Sequence, residues 1–220
     1  MPKLHHTIAL LALVAGSPAV ATTVADPVGD FIPSFTGPQT GDLDVTSFSV
    51  TFNPTTEIFA ITGVLAGNID PEDDFYYVTG VNTGAGAIAP FGSIGEPNVI
   101  FDQAVIVGSE DAGEAFVGAN ALDFTISGNT FQVLVPLALL PSTGRDPMAY
   151  AFNLWPRTDL VPSNLAAISD FVPNNAEIHP SAIPEPSSWI MLLAGFAAMG
   201  GTLRYQSRRS RGRHRLEAAA

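Results

Sequence analysis

Thr46-Ser47-Phe48-Ser49-Val50-Thr51-Phe52 alternates without a break: Phe48, Val50 and Phe52 fall on one side, Ser47, Ser49 and Thr51 on the other. Side chains of an extended chain point to opposite faces in turn, so the stretch predicts a strand with one face in a core and one in water. Asn53-Pro54-Thr55-Thr56 is rich in turn formers, and a partner strand follows with Phe59, Ile61 and Leu65 facing in. The two make an antiparallel hairpin.

Downstream the same grammar repeats. Phe75-Tyr76-Tyr77-Val78 reads as a third strand, Val99 to Phe101 with Ala104 to Val107 as a fourth, and Ala115-Phe116-Val117 as a short fifth. Leu122 to Ser127 and Thr130 to Val135 flank Gly128-Asn129, a two-residue hairpin loop that leaves Phe131, Val133 and Val135 on one face. Leu137 to Leu140 fits a half-turn of helix or a buried strand. Met148 to Trp155 reads as a last strand, ended by Pro156, and from Pro162 to Ile183 the apolar periodicity gives way to Pro, Asn and Ser. The expectation is an all-β fold: one antiparallel β-sandwich domain over residues 22–161, then a stalk over 162–183.

Both ends of the chain differ from this middle. Lys3, His5 and His6 precede a short apolar core, Ile8 to Ala15, and Pro18 breaks it before Ala19-Val20-Ala21. That is the pattern of a secretory signal peptide over residues 1–21, cut in an Ala-x-Ala context set by Ala19 and Ala21, with Thr22 as the mature start. At the other end an apolar run from Ser187 to Tyr205 spans 19 residues. At ~1.5 Å per residue it reaches about 28 Å, enough for a transmembrane helix. Arg204, Arg208, Arg209, Arg211, Arg213 and Arg215 crowd just beyond it, six of the nine Lys and Arg residues of the protein. Such a cluster is retained on the cytoplasmic side, so the preceding chain lies outside.

Pro184-Glu185-Pro186, the apolar segment and the Arg cluster, in that order at the C-terminus, resemble the PEP-CTERM protein-sorting signal over Ala182 to Arg215. The resemblance implies a protein that is exported, held briefly in the inner membrane of a Gram-negative, exopolysaccharide-producing bacterium, and cut near Pro-Glu-Pro by exosortase, a membrane-embedded cysteine protease. The opening Asp26-Pro27-Val28-Gly29-Asp30, followed by Gly41-Asp42-Leu43-Asp44 and a strand, is also similar to the start of DOMON-like β-sandwich modules. Those modules often bind sugars or other ligands.

Charge narrows the function of the exported part. Residues 22–183 hold 19 of the 21 acidic residues but only Arg145 and Arg157 among the basic ones, a net charge of about −17. Such a surface repels nucleic acid and anionic lipid, and it favours solubility or cation binding. There is no cysteine, so neither disulfides nor Cys-His chemistry is available, and zinc lacks its usual ligands. His179 is the one histidine between the two ends, which disfavours a Ser-His-Asp triad. A carboxylate pair for glycoside hydrolysis stays open, although no pair stands out. Gly84-Ala85-Gly86 lacks the Lys-Ser/Thr and helix of a nucleotide loop and reads as a surface loop.

The carboxylates offer the better candidates. Asp26, Asp30, Asp42 and Asp44 flank a Gly/Pro-rich loop that enters the first strand, and hard oxygen ligands on turns are what calcium takes. Asp70, Glu72, Asp73 and Asp74 form a second acidic loop, and Tyr76, Tyr77 and Trp155 are aromatic surfaces on which a sugar could stack. The reading is a non-enzymatic cell-surface or matrix protein with exosortase as its processing partner. It has no catalytic or cofactor-binding residue, and calcium is the one cofactor it suggests. A surface-displayed carbohydrate-binding module is the alternative, with exopolysaccharide as a partner, and a glycoside hydrolase comes third.

Overall fold

The computed structural model describes residues 22–183 except 71–74, 109–112 and 162–164. Two antiparallel sheets face each other. The first holds β1 (Thr23–Ala25), β2 (Val45–Asn53), β3 (Ile58–Leu65), β8 (Asp123–Ser127) and β9 (Thr130–Pro136), in the order β1-β2-β3-β9-β8. The second holds β4 (Phe75–Asn82), β5 (Gln103–Gly108), β6 (Glu114–Val117), β7 (Asn120–Ala121) and β10 (Ala151–Thr158), in the order β10-β4-β5-β6-β7. A last short strand, β11 (Ser181–Ala182), adds parallel to β2. Among the described residues the only helical pieces are three-residue 3-10 turns, and no helix is long and apolar enough to cross a membrane.

The hairpin read from the alternating stretch is present, with Phe52 opposite Phe59 and Val50 opposite Ile61. Its alternation has one irregularity. Val45 pairs with Leu65 and Ser47 with Val64, so Thr46 is bulged out and both Val45 and Phe48 reach the core. The inner faces of the sheets meet through Tyr77 on β4 stacked on Phe131 of β9 at 5.0 Å, and through Phe59 on β3 against Phe152 of β10 at 5.4 Å. Gly128, at φ +60, opens the β8–β9 turn, as the first central position of a type II′ hairpin favours.

The second sheet is covered on its outer face too. Ile32, Phe35 and Leu43 from the segment between β1 and β2, Phe91 and Val99 from the loop after β4, and Ile168 and Phe171 from the C-terminal segment pack on Val78 and Trp155. A strand buried on both faces carries no alternation, which is why Phe75 to Val78 looked shorter in sequence than the strand proves to be. Leu137–Leu139 is a 3-10 turn.

Three expectations are corrected. Pro156 does not end the last strand but pairs opposite Tyr77 within β10. Phe152 and Leu154 direct their N–H groups outward, to Ile178 and Val172, so the donor Pro156 lacks would have faced away from β4. Val99 to Phe101 precedes β5 and is not part of it; Phe101 instead bridges Ile88. Residues 165–183 are not a stalk: they run along the outer edge of β10 and end as β11, inside the same compact unit as the sandwich. Ala167, Ile168, Phe171, Val172 and Ile178 are buried there. The apolar residues of this segment sit in irregular chain and so show no period, although they bury like any core residue.

Candidate metal centre

Two chain segments far apart in sequence bring three aspartates together, with a fourth close by. The loop after β1 carries Asp26 and Asp30, Asp44 stands directly before β2, and Asp170 comes from the C-terminal segment. One carboxylate oxygen each from Asp26, Asp30 and Asp170 lie within 4.8 Å of one another. Asp44 lies beside this group but outside it: its Oδ2 accepts from Gly29 N at 2.8 Å, in the loop between Asp26 and Asp30. Asp170 is fully buried. Its Oδ2 accepts from Val45 N at 3.1 Å and its Oδ1 from Phe171 N at 2.7 Å. Asp44 is 3% exposed and its Oδ1 has no hydrogen-bond partner; Asp26 Oδ2 and Asp30 Oδ1 are also buried, and the side-chain hydrogen bond between Asp26 and Asp30 requires one of the two to keep its proton.

Burial raises the Asp26 carboxyl to about 7, with the charges of Asp30 and Asp44 adding to it. Burial also lifts Asp170 to about 8, helped by Asp26 and Asp30 and opposed by the N–H groups of Val45 and Phe171. Asp44 moves the same way, chiefly from burial, against the N–H of Gly29. Every charge acting on these three groups is another carboxylate. Like charges this close favour either retained protons or a cation between them.

Of the aspartates expected from sequence, the structure brings Asp26 and Asp30 together, holds Asp44 beside them through Gly29, and leaves out Asp42. Asp42 lies in the 3-10 turn Gly41–Leu43. Such a turn advances about 120° per residue, so residues two apart do not share a side as they would in a strand. Asp170 takes its place, and sequence reasoning missed it because the segment read as a stalk. The signal was the run Ala166-Ala167-Ile168 and the pair Phe171-Val172 closing round a lone acid. Asp70 is exposed; the rest of the second acidic loop lies outside the described residues.

The aromatic candidates separate. Tyr77 is enclosed between the sheets and offers no face to a sugar, whereas Trp155, although packed in the outer cluster, lines the same groove as Tyr76. Tyr76 is half-buried and lines an open groove of about 760 Å³ on the second sheet, with Ile88 and Phe116 beside it and Glu114, Arg157 and Asp159 also in its lining. Gly84-Ala85-Gly86 is an exposed loop tied by Asp102, which accepts from Thr83 N and Ala85 N. His179 Nδ1 lies 2.8 Å from Tyr150 O.

A family model described as the PEP-CTERM protein-sorting motif matches residues 182–209. The chain carries that sorting signal. The PEP-CTERM motif marks a protein that is exported, processed by exosortase in association with the membrane, and sorted to the cell surface. Its match begins at Ala182, the last residue of β11, so sandwich and signal adjoin in sequence. It includes Pro184-Glu185-Pro186 and Arg204, Arg208 and Arg209, and stops before Arg211, Arg213 and Arg215. The signal peptide of residues 1–21 with Ala19 and Ala21, the transmembrane helix over 187–205 and the Arg tail all lie outside the described residues. No curated protein and no solved structure matches the chain. The DOMON-like resemblance therefore rests on the sequence alone.

Proposed function

We propose that this is a non-enzymatic surface or matrix protein of an exopolysaccharide-producing Gram-negative bacterium, delivered by its PEP-CTERM signal. The observation that carries the reading is that signal, adjoining an acidic, cysteine-free β-sandwich. In this account signal peptidase removes residues 1–21. The segment 187–205 then holds the chain in the inner membrane with the Arg tail inside, and exosortase cuts near Pro184-Glu185-Pro186. The sandwich is the delivered part.

A second reading, a surface-displayed carbohydrate-binding module, draws on the groove beside Tyr76. Its floor is apolar, with charged Glu114, Arg157 and Asp159 among its residues, as suits the apolar face and hydroxyl edge of a sugar ring. The purified full chain, applied to a glycan array and incubated with exopolysaccharide, separates the readings. The leading one expects neither saturable binding nor turnover. Saturable binding lost in Tyr76→Ala would replace it with the sugar-binding module. Turnover abolished by changing one carboxylate would replace both with a hydrolase.

A further inference from the structure

We propose that the segment 165–183 gates removal of the sorting signal: β11 must lift from β2 before exosortase can take the chain beside Pro184-Glu185-Pro186. The gate rests on the delivery route above, in which that cut is made. The matched motif begins at Ala182, which is already a residue of β11, and Ile183 N donates to Phe52 O at 3.0 Å. The first two residues of the signal are therefore stitched to a sheet, and Pro184 follows with no spacer between. A protease takes its substrate as an extended strand over several residues around the scissile bond, through main-chain groups of the kind that β2 already engages. Docking and cutting compete for Ala182 and Ile183.

The segment is fastened to β10 as well as to β2. Asn153 on β10 is buried, and its Nδ2 donates to Pro173 O at 2.7 Å and to Ala176 O at 2.8 Å. Phe152 and Ile178 exchange two main-chain hydrogen bonds, at 2.9 and 2.8 Å, and Leu154 and Val172 exchange two more, at 3.0 and 2.8 Å. The final stretch is held more lightly. β11 is two residues long, and Thr22 N donates to Ser181 Oγ at 3.2 Å. β3 pairs along one side of β2, so β1 and β11 share the other, β1 at Ser47 to Ser49 and β11 at Thr51 and Phe52. A short terminal strand of this kind opens at a lower cost than the whole sandwich unfolds.

The position gives the segment its role. When opening and closing are fast relative to cutting, proteolysis follows the population of the open form. The rate at which the tail is lost is then set by how firmly 165–183 docks. A chain cut before the segment docks is released at once, whereas a chain that folds first stays held at the membrane until β11 opens. Asn153 is the lever: without its side chain, Pro173 O and Ala176 O lose their donor, and the segment loosens while β11 and the sorting motif keep their sequence.

The test is a pulse-chase of the full chain in an exosortase-bearing host, following loss of the Arg tail by mass. One variant locks the gate: Thr51→Cys with Ser181→Cys. These residues are Cα partners, both are half-buried and outside the matched motif, and the chain has no other cysteine. Paired strands lie about 4.7–4.9 Å apart, within the Cα separation a disulfide spans. The disulfide-bonded chain should lose its tail at least about tenfold more slowly than Thr51→Cys alone. Asn153→Ala should lose it about tenfold faster than the wild type. In the purified Asn153→Ala chain, hydrogen exchange should quicken in peptides from 172–183 and stay unchanged in β3 and β9. If alkylation shows that the disulfide does not form, Asn153→Ala decides. The gate is overturned if the bonded chain is cut as fast as the single-cysteine chain, or if Asn153→Ala, with its segment loosened, is cut no faster than the wild type. A wild-type chain that is never cut overturns the delivery reading itself, and the gate with it.

Discussion

A methyl group on Gly63 would lie 2.4 Å from a carbon of the Phe131 ring and 3.0 Å from Leu154 Cδ2. Gly63 falls on the inward side of β3 between Ile61 and Leu65, where the alternation calls for a core residue, and the Phe131 ring fills the place a side chain would take. Gly63→Ala should therefore cost about 1–3 kcal/mol through overpacking. Gly92→Ala, with nothing closer than 3.9 Å, should be near neutral in the same denaturation series. Equal effects at the two sites would contradict this packing. At this scale the sequence was legible where pattern and burial coincide, as at Phe48, Val50, Phe52, Phe59 and Ile61. It was not legible at Asp42 and Asp170. Which acid joins Asp26 and Asp30 depends on a 3-10 turn and on a contact to Val45 across 125 residues, and neither leaves a period in the chain.

The element that most changes its meaning is the segment 165–183. If it hung free as a stalk, Phe171→Ala would alter stability by less than about 0.5 kcal/mol. Phe171 is instead fully buried, beside Phe91 and Trp155 at ring separations of 5.0 and 6.0 Å. The substitution should cost about 3–5 kcal/mol in denaturant melts, and a cost near zero would restore the stalk. The same segment meets the loop before β5 through two carboxylates: Glu96 accepts from Asn175 N, and Glu177 accepts from Ile100 N at 3.3 Å. Burial raises both carboxyls above their ordinary value of 4.5, against those N–H groups. A carboxyl raised in the fold holds its proton more firmly than in the unfolded chain. Its ionisation thus costs stability as pH rises above about 4.5, and the cost is complete above the folded value. Glu96→Gln removes that cost. In EDTA its melting temperature relative to wild type should climb between about pH 4 and pH 7, and a difference that stays flat would contradict the assignment.

Over the whole molecule, charge and address work together. A domain with a net charge of about −17 repels itself, so sodium chloride raised from ~0.1 to ~1 M, which shortens the screening length from about 10 to 3 Å, should raise its melting temperature. A temperature independent of salt would mean that the acids are spaced too widely to interact. The two-sheet architecture was readable from turn spacing and alternation, and the sorting signal from the order of its three parts. The docking of the C-terminal segment was not, because Pro, Asn and Ser fill a linker and an irregular packed segment equally well. The central claim is delivery by the PEP-CTERM signal with cleavage beside Pro184-Glu185-Pro186. Mass spectrometry of both termini, on protein recovered from the cell envelope and from the medium, tests it most directly. The account predicts extracellular protein that begins at Thr22 and ends near Pro186 without Arg204 to Arg215; extracellular protein with the Arg tail intact would contradict it.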